Sequence, residues 1–493
     1  MNKSIRFSQI LTLFNMFFMV LFVFSYLFIE SHPYINWVSI FLIFSILSTN
    51  IFLLNIGSNK LIVLRILTVI IILLWFIQRL LVLLFFPDDI RFSSFVGYNF
   101  YLTNTTLAYI LLCLLVVFTS FLQPWGGKSF GVKNIHKKPI LNKISYKVYF
   151  IISCIPLFFS IYLSLIYDMS TYYGSVPKVL AILNMFLNKD IFIMIFVLYS
   201  IHNWHILKNK GLFFIYLILV TLSATVTGGK GGMYTVGIVF LYSGLIVYGD
   251  LKIRIINFFK ANGLLAIFVP IALFLFSLGD GVRYARYSVS NADLTLTELI
   301  EVAPTYSNYV DVNQELLAIS KRFSHFDYMP IILHNTDDYA REIVNIGGNI
   351  KIILNLLLPG TPFVDEKYSL ELFKVAYLDV PLSDVTEIDI GQSHGDHWPI
   401  FGIVWVLFNP VISFIAIFIM FKIISSCYLR FVELDSKYGL VWSSVTIFTI
   451  NATISDSFGI DNIFQKLIIY IASGLFYILI LNIFYRLGKI RLN

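Results

Sequence analysis

Phe401–Phe421 reads FGIVWVLFNPVISFIAIFIMF and contains no charged side chain. A helix needs roughly 20 apolar residues to cross the hydrocarbon core of a bilayer, and this run has that length. Ile267–Gly279, IFVPIALFLFSLG, is a stretch of the same kind. In lipid every backbone N–H and C=O must be satisfied within the protein, which helices do segment by segment and closed barrels do between strands. The alternating pattern of barrel strands is absent. The expected fold is therefore an all-α polytopic membrane protein.

The rest of the chain conforms. Of 493 residues, 58% are hydrophobic and 13% charged, against about 25% charged in a soluble domain, and the mean hydropathy is +0.83. The apolar blocks predict spans at approximately 8–29, 35–57, 61–86, 101–122, 146–167, 179–201, 211–227, 232–249, 262–279, 398–421, 438–455 and 465–485. The first block follows Lys3 and Arg6 without a small-x-small cleavage site, so it reads as a retained span and not as a removed signal peptide. The net charge of +7 does not indicate a nucleic-acid binder, because the basic residues are scattered in short loops between apolar blocks. Cys113 and Cys154 fall in apolar blocks and Cys427 in a basic loop, a distribution that suggests neither a disulfide framework nor a metal site.

Charge placement supplies an orientation. With the N-terminus in the cytoplasm, one set of loops holds Lys60, then Lys128 to Lys147, Lys208 and Lys210, Lys252 to Lys260, Lys422 to Lys437, and the tail from Arg486 to Arg491. The short loops of the other set carry Glu30, Asp88, Asp89, Asp168, Asp456 and Asp461. This asymmetry follows the positive-inside rule and predicts about a dozen transmembrane helices with both termini cytoplasmic. The sequence divides into spans one to nine (1–279), a long outer loop (280–397) and spans ten to twelve (398–493). Loops of that length are functional or disordered. This one is not low-complexity: Glu298–Val302, Leu316–Phe323 and Ile343–Leu358 read as short amphipathic helices of an ordered extracytoplasmic cap.

Four constellations could carry chemistry. TVTGGKGGMYT, 225–235, precedes and opens span eight. Its glycines, Gly229 and Gly231 among them, permit close backbone approach to a ligand. The N–H groups of the helix start, with Lys230, suit a phosphate; a tight hairpin with a snorkelling lysine is the plainer reading. GDGVRYARYS places Arg283 and Arg286 three apart after span nine, a spacing for bidentate phosphate binding or for complementing a helix C-terminus. KRFSHFDYMP groups Arg322, His325 and Asp327, and Arg341 follows Asp337 and Asp338 at the spacing of helical ion pairs. GQSHGDHWPIFG leads into span ten. There Asp396 is either an N-cap or the carboxylate beside His394 and His397 that makes a histidine a better general base. No standard zinc spacing is present, and no metal or cofactor is expected. Arg79, inside span three near its outer end, is a functional candidate as an intramembrane charge or a snorkelling one.

TVTGGKGGMYT, Arg283 after span nine, the long outer loop, LNLLLPGTPF at 354–363 and SHGDHWPIFG together resemble the Wzy family, the polymerases of lipid-linked oligosaccharide repeat units. The resemblance covers roughly residues 210–420; members usually show Arg where this chain has Lys230. It implies a GT-C-like membrane glycosyltransferase in the bacterial cytoplasmic (inner) membrane. The growing glycan on undecaprenyl pyrophosphate would pass to the non-reducing-end sugar of another lipid-linked unit. Lys230, Arg283, Arg286, Arg322 and Arg341 would face the pyrophosphate, and His394 or Asp396 would serve as base. The implied partners are undecaprenyl-pyrophosphate-linked oligosaccharides, membrane lipid and a chain-length regulator protein, with no nucleic acid. An O-antigen ligase uses the same donor and stands as the alternative. A polysaccharide transporter ranks behind both, because no internal repeat is visible.

Overall fold

The computed structural model describes residues 5–28, 36–55, 61–85, 103–122, 145–166, 177–226, 230–249, 252–253, 329–335, 347, 350–351, 400–408, 410–434, 436, 438–455 and 460–490. Helices dominate these residues. They are α1 (Phe7–Phe28), α2 (Trp37–Asn55), α3 (Ile62–Phe85), α4 (Asn104–Leu122), α5 (Tyr146–Ile166), α6 (Lys178–Phe186) and α7 (Lys189–His202). After them come α8 (Gly211–Val226), α9 (Lys230–Tyr248), α10 (Met329–Asn335), α11 (Ile400–Leu407), α12 (Pro410–Phe431), α13 (Gly439–Ser455) and α14 (Ile460–Ile490). Among the described residues, seven helices are long and apolar enough to cross a membrane, and four shorter apolar helices, in α3, α8, α9 and α13, coincide with further predicted spans. The chain is thus a polytopic helical membrane protein. The ninth predicted span, 262–279, lies outside the described residues.

Side-chain contacts fix how neighbouring helices run. Arg65, near the start of α3, donates from Nη1 to the Leu53 carbonyl near the end of α2 at 3.3 Å, so these helices are antiparallel. Tyr146 at the start of α5 and Ser200 near the end of α7 share a hydrogen bond of 3.1 Å. Ser39 and Asn104, at the starts of α2 and α4, meet at 2.6 Å and set that pair parallel. A two-residue antiparallel strand pair joins β1 (Ile5–Arg6) to β2 (Lys252–Ile253). Between them lie α1 to α9, with α6 and α7 forming one apolar span, Ile182–His202. Among the described residues five spanning-length helices and three shorter apolar ones lie between the two strands; if each crosses once, the even number returns the chain to its starting face, in keeping with the pairing.

The core is centred on α7. Every residue from Ile191 to Ser200 is buried, the behaviour of a helix surrounded on all sides, and α5, α9, α13 and α14 pack around it. The outward faces remain apolar, as with Phe17 and Val20 of α1 and Leu475 and Leu479 of α14, which suits contact with lipid.

One predicted span carries a break and another needs correction. The sixth stands as one apolar span, Ile182–His202, interrupted between α6 and α7. Asn188 accepts a hydrogen bond from the Ile191 amide at 3.2 Å and caps α7 afresh, because an Asn side chain offers the backbone an alternative to continuing the helix. The tenth, 398–421, is divided as well. Proline lacks the N–H that helix continuation requires and suits a first turn, and Pro410 opens α12. The membrane-length helix is therefore Pro410–Phe431, and Ile400–Leu407 is a separate short element. Lys422 and Cys427, read as loop residues, lie inside α12.

Tyrosines concentrate between α5, α7, α8 and α14. Tyr149 stacks on Tyr199 with centroids 4.3 Å apart, and the Tyr216 hydroxyl donates to the Ser153 carbonyl at 3.3 Å. The Tyr149 hydroxyl is buried without a hydrogen-bond partner among the described residues. A satisfied buried hydroxyl contributes ~1 kcal/mol, whereas an unsatisfied one opposes folding. Tyr216→Phe is thus expected to lower the melting temperature in detergent, and Tyr149→Phe to leave it unchanged or raise it. Equal losses in both variants would contradict this assignment.

Candidate functional site

The glycine-rich segment between α8 and α9 is described from Lys230 onward. Lys230 is the first residue of α9, and Gly231 lies in its first turn. A helix start leaves its first N–H groups without intrahelical partners and carries the positive end of the helix dipole. Lys230 stands at the described start of α9, and α8 packs against α9. Gly229 lies outside the described residues.

The carboxy-terminal end of the long loop is tied down at α11. Ile400 and Phe401 are 2% and 1% exposed. The Tyr109 hydroxyl on α4 donates to the Phe401 carbonyl at 3.1 Å, and the Trp75 ring of α3 meets the Phe401 ring edge-on at 6.4 Å. Tyr109 also packs against Trp405 at 4.7 Å and Phe414 at 5.5 Å. A second piece of the loop, α10, lies against α11 and α4, with Met329 and Ile332 buried. This α10 falls between the amphipathic helices predicted at 316–323 and 343–358. Pro330 is tolerated in its first turn. Of the predicted helix at 343–358, the described residues Gly347, Ile350 and Lys351 are helical.

The structure brings α3 and α11 together through Trp75 and Phe401. Arg79 follows Trp75 by four residues in α3, about one helical turn. Arg283, Arg286, Arg322, His325, Asp327, Arg341, His394, Asp396 and His397 lie outside the described residues, as do the predicted helices at 298–302 and 316–323.

Two buried cations did not stand out in the sequence reading. Arg65 is 3% exposed on α3, and its bond to the Leu53 carbonyl satisfies an acceptor in the last turn of α2, where such groups lack intrahelical partners. Its role there is structural. Lys422 is 3% exposed and holds its Nζ over the Phe418 ring at 5.1 Å, a cation–π contact. The signal for Arg65 was a lone charge inside an apolar run. Lys422 reads as a loop residue because the predicted tenth span ends at 421, before α12 does.

No family model matches the chain, and neither a curated protein nor a solved structure matches it.

Proposed function

We propose that this protein polymerises undecaprenyl-pyrophosphate-linked oligosaccharide repeat units at the outer face of the cytoplasmic membrane. The reading rests on the sequence resemblance, and the observation that carries it furthest is Lys230 at the first turn of α9. A cation and a helix start at one position suit a pyrophosphate leaving group. In this scheme twelve spans enclose a GT-C-like arrangement with both termini cytoplasmic. Arg283 and Arg286 join Lys230 on the departing pyrophosphate, and His394, oriented by Asp396, takes the proton of the acceptor hydroxyl. The glycosidic bond to pyrophosphate breaks as the bond to the acceptor oxygen forms, releasing undecaprenyl pyrophosphate.

A ligase would use the same donor with a different acceptor. Deleting the gene and resolving surface glycan on a gel separates the two. Loss of the polymerase should leave a single repeat unit in place of a ladder. Unchanged chain lengths would refute the assignment, and loss of all glycan would favour a ligase or a transporter.

A further inference from the structure

A cavity of about 600 Å³ opens between the start of α5 and the segment leading into α8, well within the roughly 300–1,000 Å³ of small-molecule sites. Three lysines line it, Lys147 from α5 and Lys208 and Lys210 from the α7–α8 connection, with Asn209 beside them. No acidic side chain is among the described residues that line it. The first residue of α8, Gly211, also borders the cavity, adding the positive end of a helix dipole. Lys210 is held in place by its Nζ lying 5.1 Å over the Trp204 ring. All three lysines are exposed, so the cavity opens to solvent and attracts an anion by its uniform positive charge.

Its other wall is apolar and points to where the rest of the ligand lies. Phe150, Ile151 and Ile215 border the same space. Residues three, four and seven positions apart share a helix face. Ile151, Ile155 and Phe158 thus form one strip on α5, and Ile215, Ile218 and Leu222 another on α8, and all six are exposed. The two helices pack against each other, so the strips run side by side from the basic cavity along the membrane-crossing part of the bundle. A soluble phosphate would have no use for them, whereas an acyl chain would.

We propose that this cavity binds the headgroup of an anionic phospholipid, with its acyl chain on the α5–α8 face. By helix parity the cavity lies on the face that carries the β1–β2 pair, opposite the start of α9. Basic pockets between membrane helices attract anionic headgroups through charge at short range. The inference is independent of the glycan reading.

Native mass spectrometry of the full-length chain in detergent, with added phosphatidylglycerol or phosphatidylcholine, tests it. The wild-type chain should retain phosphatidylglycerol selectively. Replacing Lys147, Lys208 and Lys210 together by Gln should weaken retention about a hundredfold, on the order expected for three lysines near an anionic surface, and replacement by Arg should preserve it. Equal retention of the two lipids by the wild-type chain overturns the proposal even if the Gln variant does not fold. So does undiminished binding in a folded Gln variant. Displacement of phosphatidylglycerol by excess inorganic phosphate would instead identify a soluble phosphate site and likewise overturn it.

Discussion

Under the proposed polymerase reading, His394→Ala is expected to collapse the surface glycan ladder to a single repeat unit while the protein stays in the membrane at its normal level. A positioned general base contributes typically 10²–10⁴-fold to rate, and a polymerisation repeated many times per chain compounds any loss at each step. Arg283→Ala should have a comparable effect, because removing one donor from a developing anion costs about 10²–10³-fold. Arg283→Lys should retain a fraction of the ladder, since it keeps the charge and loses the planar fork. Gel analysis of the glycan alongside quantification of the membrane-inserted protein distinguishes catalysis from folding. Wild-type ladders from both alanine variants would remove His394 and Arg283 from the site.

Most of the helical architecture was legible in the sequence because lipid permits few solutions. Apolar runs of spanning length locate α1, α2, α4, α5 and α14 within a few residues of their predicted positions. The errors arose where a local backbone preference interrupts a run of uniform hydropathy. Asn188 and Pro410 divide blocks that composition alone reads as continuous. Hydropathy measures the cost of leaving lipid and is insensitive to a cap or a missing N–H. The candidate site was less legible for a different reason. Of its residues only Lys230, Gly231 and Arg79 fall among the described ones, and the seat of α11 is built from Tyr109, Trp75 and Phe401, aromatic residues from well-separated parts of the chain that no local pattern distinguishes from ordinary core. Arg65 shows the converse: an intramembrane charge suggests function by default, yet its guanidinium satisfies a helix-end carbonyl.

That seat makes Phe401→Ala a substitution expected to damage the fold severely. Truncating a buried Phe costs about 3–5 kcal/mol in soluble cores, part of it from transfer and part from the cavity left behind. Within a bilayer the transfer part shrinks, because lipid tails are as apolar as the core, and lost packing dominates. At 1% exposure, Phe401 loses nearly all its contacts on truncation, including the edge-on Trp75 ring. Phe41, at 68% exposure, provides the control: Phe41→Ala exchanges ring contacts with lipid for more lipid. Thermal aggregation in detergent should therefore show a large fall for Phe401→Ala and almost none for Phe41→Ala. Tyr109→Phe, which removes only the hydroxyl bonded to the Phe401 carbonyl, should cost ~1 kcal/mol. If α11 positions the His394–His397 segment, both α11-seat variants should also shorten the glycan ladder in proportion to their loss of stability, and Phe41→Ala should leave it at full length. A full-length ladder from a destabilised Phe401→Ala would separate the seat of α11 from the chemistry and leave it a purely structural anchor.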